Sequence, residues 1–147
     1  MGLALQRAEL SAYLDEVFPQ VRGDFTVDAL EPMRITMRLN TAERHLRPGG
    51  TVSGPAMFAL ADVTVYALVL SMVGKTALAV TTNCSMDFMR KPEAGRALIA
   101  EGRLLKLGRV LAVGDVLMMS DGSDKPVARA SMTYSIPPEG SAAALVS

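Results

Sequence analysis

Residues 55–73 form a run of nineteen residues that is almost wholly apolar and carries one charge, Asp62, near its middle. By length the run could span a bilayer. A carboxylate at the bilayer centre costs about 2.5–3.5 kcal/mol on insertion scales, and no basic cluster flanks the segment. A helix that is apolar on every face is equally what a chain buries at the centre of a water-soluble fold. The flanks favour that second reading, so no membrane partner is expected. Pro55 suits the first helical position, where a missing N–H costs nothing, with Ser53 or Gly54 as cap and Gly74 as the stop.

The rest of the chain must then supply what surrounds such a helix. Its 147 residues suffice for one core, and neither a linker nor a repeat divides them, so a single domain over 1–147 is expected. Residues 1–19 read as an N-terminal helix, with Leu3, Leu5, Leu10, Leu14 and Phe18 at roughly helical spacing until Pro19 stops it. This opening lacks a basic n-region and carries Glu9, Asp15 and Glu16, which does not read as a secretory signal. Residues 34–39 alternate, Ile35, Met37 and Leu39 on one face against Arg34, Thr36 and Arg38 on the other, as a half-buried strand does.

Beyond the helix, strand follows strand. Thr76–Met89 places Leu78, Val80, Cys84, Met86 and Phe88 on one side and Asn83, Ser85 and Asp87 on the other. Strands at 97–107, 110–120 and 127–136 follow, with Ala128, Ala130, Met132, Tyr134 and Ile136 sharing a face of the last. The expected class is α+β: a four-strand antiparallel meander after one long helix, the sheet curled around it, with core residues 34–137. The small-residue stretch 138–147 reads as a flexible tail.

Composition narrows the chemistry. Fifteen Lys and Arg balance fifteen Asp and Glu, which argues against a nucleic-acid partner. One His and one Cys exclude a disulfide framework and the usual zinc sets, so a reducing compartment, the cytoplasm, is expected, with no metal and no cofactor. A reactive group is therefore a carboxylate, a hydroxyl or a set of backbone donors. Asp62 stands out: an ionised carboxylate in the most apolar segment needs a partner or a purpose. It fits either a solvated edge or a base at the mouth of an apolar cleft. The glycine-containing approach 49–54 leads into a helix N-terminus, whose free N–H groups can hold a developing oxyanion or merely form a capped loop. Arg90-Lys91 and Lys106-Leu107-Gly108-Arg109 lie beside turns, as solvated ends or as phosphate docks. His45 has no evident carboxylate partner, and Cys84 reads as a small core residue.

These motifs together resemble the hotdog-fold thioesterases of the phenylacetic-acid-degradation-related type, over residues 34–137. Leu60-Ala61-Asp62 matches the family's helix motif, with Ser53-Gly54-Pro55 where His-Gly-Gly is usual. Residues 83–90 resemble its second strand, and Lys106-Leu107-Gly108-Arg109 its hairpin. The resemblance implies hydrolysis of a small or aromatic acyl-CoA, CoA being part of the substrate rather than a cofactor. It implies Asp62 as nucleophile or general base, the Gly54 N–H as oxyanion donor, and Ser53 at the catalytic position of the family's His. Thr82 or its neighbour Thr81, the latter also a substrate contact, is implied as a hydroxyl that places water. It further implies substrate contacts from Arg47, Asn83, Arg90, Lys91, Lys106, Gly108 and Arg109, and a site between the subunits of a homodimer or dimer of dimers. Arg47 and Ser53 stand where the family carries Asn and His, and they favour the rival reading, a non-catalytic acyl-CoA-binding or regulatory protein. A hydratase of the same fold would want a His/Asp pair, and a purely structural oligomerisation module is the plainest alternative.

Overall fold

The computed structural model of the protein describes residues 2–138, so all but the first residue of the expected tail lies outside the described residues. The chain runs α1 (Arg7–Val17), a 3-10 turn (Pro19–Val21), β1 (Phe25–Glu31), β2 (Arg34–Leu39), a second 3-10 turn (Glu43–His45) and α2 (Gly54–Val73). Four strands complete it: β3 (Val80–Phe88), β4 (Leu98–Leu107), β5 (Leu111–Ser120) and β6 (Pro126–Ser135).

All six strands form one antiparallel sheet in the order β1-β2-β4-β5-β6-β3. Its inner face closes around α2, which packs against β2, β3, β4, β5 and β6. Ile35, Met37 and Leu39 face inward as their alternation requires, as do Leu98, Ala100, Val116, Met118, Met132 and Tyr134. Fourteen of the twenty α2 residues are buried, which explains an apolar run with no polar face. Two glycines let the helix come this close. A Cβ on Gly102 would sit 2.7 Å from Thr64 Cγ2, and one on Gly114 would sit 3.3 Å from Val65 Cγ1. This is the hotdog arrangement that the motifs imply.

Three expectations need correction. The four strands after α2 are not one meander: β4, β5 and β6 are, but β3 pairs with β6 at the sheet edge. The N–H groups of Met89 and Arg90 both bond to Val127 O, and Glu93 N–H donates to Ser120 Oγ at 2.9 Å. The chain thus crosses the ends of β6 and β5 before it enters β4. Strand β1 is an additional element; its bulge between Val27 and Ala29 and its exposed outer positions hide the alternation. The N-terminal helix spans Arg7–Val17 rather than residues 1–19; it starts at Arg7 because Glu9 Oε1 accepts the Gln6 N–H at 3.1 Å and sets the first turn there. Ala4 and Leu5 instead donate to Ser71 O near the end of α2, which straps the N-terminal segment to the central helix.

Candidate active site

Asp62 sits half-buried, midway along α2, where that helix passes the start of β3 and the end of β6. Its Oδ1 accepts two hydrogen bonds, from Thr81 Oγ1 at 2.5 Å and from Tyr134 Oη at 2.6 Å. One carboxylate oxygen is therefore fixed, and the other, Oδ2, has no protein hydrogen-bond partner among the described residues. Burial, and then the Asp62 charge, push the Tyr134 phenol well above the ordinary tyrosine range, which keeps it a proton donor. Beside these groups opens a cleft of about 510 Å³, with Asp62 its one charged wall and Phe18, Tyr66 and Val80 among its apolar ones.

The hydroxyl that meets Asp62 is Thr81, and the reason is local. An extra residue in β3 breaks its register with β6: Thr81 pairs with Tyr134, while Asn83 pairs with Thr133. Such a bulge reverses the facing of every side chain on one side of it. Cys84 and Met86 pack against the core after the bulge, and Thr81 turns inward before it. Thr82, the other residue expected as the water-placing hydroxyl, is exposed and lies 3.4 Å from Thr133 O instead. Burial and the nearby Asp62 charge push the Cys84 thiol up, so it is no thiolate nucleophile at neutral pH.

At the other end, Ser53 caps α2 by accepting the Ala56 N–H at 3.2 Å, while the Gly54 N–H has no acceptor among the described residues. The Phe88 ring lies 3.7 Å from where a Gly54 Cβ would be. The loop before this cap rests on a buried pair that the sequence reading lacked. His45 Nε2 is 3.5 Å from Asp24 Oδ2, and both residues are at least nine-tenths buried. His45 Nδ1 accepts the Ala42 N–H at 2.9 Å, and His45 O accepts the Ser53 N–H at 2.8 Å. Burial and the neighbouring Arg44 lower the imidazole's proton affinity, since Arg44 is already bonded to the same Asp24 carboxylate. The neutral ring is the form that can accept the Ala42 N–H.

Comparison with known proteins agrees with this fold. The family model for the thioesterase superfamily matches residues 49–127, more than half of the chain. The chain belongs to the thioesterase superfamily. It is also similar to a protein of Silicibacter sp. TM1040 assigned as a thioesterase, at 68% identity over 92% of this chain and 94% of that one, TM-score 0.87. A mutant of the phenylacetic acid degradation protein PaaI from Thermus thermophilus is 27% identical, covering 81% of this chain and 99% of that one, TM-score 0.69. A Streptococcus mutans protein bound to acetyl CoA shares the fold at 23% identity, over 80% and 91% of the two chains, TM-score 0.69. A comparison with curated proteins finds no match.

The remaining expected contacts of the thioesterase do not gather in one place. Arg47 is exposed in the 47–50 turn, without an ion-pair partner among the described residues. Arg90 and Lys91 follow β3 at its Gly54 end, where Arg90 Nε donates to Pro126 O at 3.0 Å. Lys106, Gly108 and Arg109 form the β4–β5 hairpin at the Asp62 end, close to the Leu111–Ser135 pair. Asn83 is exposed on β3. Tyr134 is the site residue that sequence reasoning placed only in the core. A buried tyrosine needs a partner for its hydroxyl, and that requirement was the available signal. Among the described residues no three His, Cys, Asp or Glu side chains gather as a metal site would need.

Proposed function

We propose that this protein hydrolyses acyl-CoA thioesters, with the Asp62 carboxylate attacking the thioester carbonyl carbon or activating the water that does. The C–S bond breaks, a C–O bond forms to oxygen derived from water, and the CoA sulfur leaves as the thiol. The observation that carries this reading is the Asp62 carboxylate itself: one oxygen held by Thr81 and Tyr134, the other without a protein partner among the described residues, beside a cleft with apolar walls at Phe18, Tyr66 and Val80. A Streptococcus mutans relative of the same fold bound to acetyl CoA supports the substrate class.

The carbonyl oxygen needs a donor, and the free N–H of Gly54 is suited to it. Gly54 precedes Asp62 by eight residues on one helix, about 12 Å of rise. One thioester cannot reach both within a single chain. The two ends of β3 carry the two half-sites, Thr81 beside Asp62 and Phe88 beside Gly54. Antiparallel pairing of two β3 edges about a two-fold axis near Cys84 brings Gly54 of the partner subunit toward Asp62. The same pairing brings Arg90 of the partner subunit toward the Lys106–Arg109 hairpin, which unites the two basic clusters for the CoA phosphates. A homodimer, or a dimer of dimers, in the cytoplasm follows as part of this proposal.

A binding role without turnover is favoured by one observation: the Ser53 hydroxyl is committed to capping α2. Thiol release from short, medium and aryl acyl-CoAs decides between the two. Turnover on at least one is the expected result. Calorimetric binding of CoA thioesters with no release of thiol on any of them supports the binding role.

A further inference from the structure

The cleft at Asp62 is not walled by the central helix and sheet alone. Val17, Phe18 and Gln20, where α1 gives way to the first 3-10 turn, complete it, and all three lie outside the stretch matched by the family model. Phe18 is held firmly. Its N–H donates to Leu14 O at 2.8 Å, and Pro19 follows at once and fixes the turn. Its ring stands edge-on to Tyr66, with centroids 6.2 Å apart and planes at 89°, a favoured aromatic geometry.

Behind Phe18 lies a second cavity of about 220 Å³ between α1, β1 and α2, lined by Leu14, Phe25 and Val27 among others. Phe18 and Val63 line both cavities, so Phe18 stands at the boundary of the carboxylate's cleft and the space beyond. The first cleft mixes polar and apolar walls, while the second cavity is walled mainly by carbon, which suits a ligand whose polar end is at Asp62 and whose hydrocarbon part points toward Phe18.

We infer that the N-terminal segment forms the acyl pocket and that Phe18 is its specificity-determining floor. Short aliphatic chains and single aryl rings fit between Asp62 and Phe18, and longer chains stop at the ring. This inference rests on the reading of the Asp62 cleft as the thioester site.

The test uses the full chain and its Phe18→Ala and Phe18→Leu variants. Thiol release is measured on straight-chain acyl-CoAs from two to twelve carbons. The kcat/KM ratio of dodecanoyl- to hexanoyl-CoA is expected to rise at least tenfold in Phe18→Ala and by a smaller factor in Phe18→Leu, which preserves packing if the alanine variant folds poorly. A second readout needs no turnover: calorimetric affinity for S-alkyl-CoA thioethers of the same lengths. Wild-type affinity is expected to level off with length, while the variants continue to gain, about fourfold for each further methylene buried. Identical chain-length profiles in all three proteins by both readouts overturn the inference. Shifted thioether profiles with no thiol release from wild type leave the pocket standing and sink the hydrolase reading. Turnover with unshifted profiles does the reverse.

Discussion

At Asp62 a single oxygen takes both hydroxyl donors, and this asymmetry is what makes the residue usable. A carboxylate bonded through both oxygens would be a structural anchor; here the free Oδ2 can meet water or a carbonyl carbon. Tyr134 contributes a hydrogen bond to a charged group, typically about 1.5–3 kcal/mol. Tyr134→Phe keeps the ring packing and loses that bond. If the oriented carboxylate is what reacts, kcat is expected to fall about 10–100-fold with little change in KM, measured by steady-state thiol release. An unchanged kcat would show that Thr81 alone orients Asp62. The thiol of Cys84, raised by burial and by Asp62, offers no alternative nucleophile.

At the level of elements, the closeness of α2 to the sheet depends on two strand positions without side chains, Gly102 and Gly114. Gly102→Ala places a methyl 2.7 Å from Thr64 Cγ2, on a helix enclosed by the sheet. The expected cost is about 1–3 kcal/mol, read as a lower midpoint in urea unfolding with unchanged slope; an unaltered midpoint would mean the helix shifts freely. The central helix and the inward faces of β2 and β6 could be read from residue types, because burial imposes a period that neighbours share. The partner of β3 could not, since antiparallel pairing with β4 or β6 satisfies the same alternation. One extra residue in β3 likewise moved the inward hydroxyl from Thr82 to Thr81, and nothing in Val80-Thr81-Thr82-Asn83 announces which residue bulges. The carboxylate itself was evident because an acid in an apolar helix is costly wherever it is found. His45 and Asp24, by contrast, meet only through the loop's path.

On the scale of the whole molecule, β3 leaves one edge of the sheet open, and its ends carry exposed apolar side chains: Val80 at 54%, Phe88 at 55% and Met89 at 48%. An edge of this kind invites pairing with another chain. In the proposed dimer it is covered by its own copy, and the same contact joins the two halves of the site. Phe88→Asp puts a charge into that contact and is expected to yield monomers by light scattering, with turnover lost though Asp62 is untouched. A monomer that retains full activity would refute the shared site. The proposed acyl pocket, in contrast, is lined by the N-terminal segment of the chain that carries Asp62. The most direct test of Asp62 as the reacting group compares thiol release from acyl-CoAs by the wild type and by Asp62→Asn, which preserves size and hydrogen bonding but not the charge. Turnover by the wild type is expected, with a loss of about 10²–10⁴-fold in the variant; equal rates in the two proteins would contradict a reacting carboxylate at Asp62.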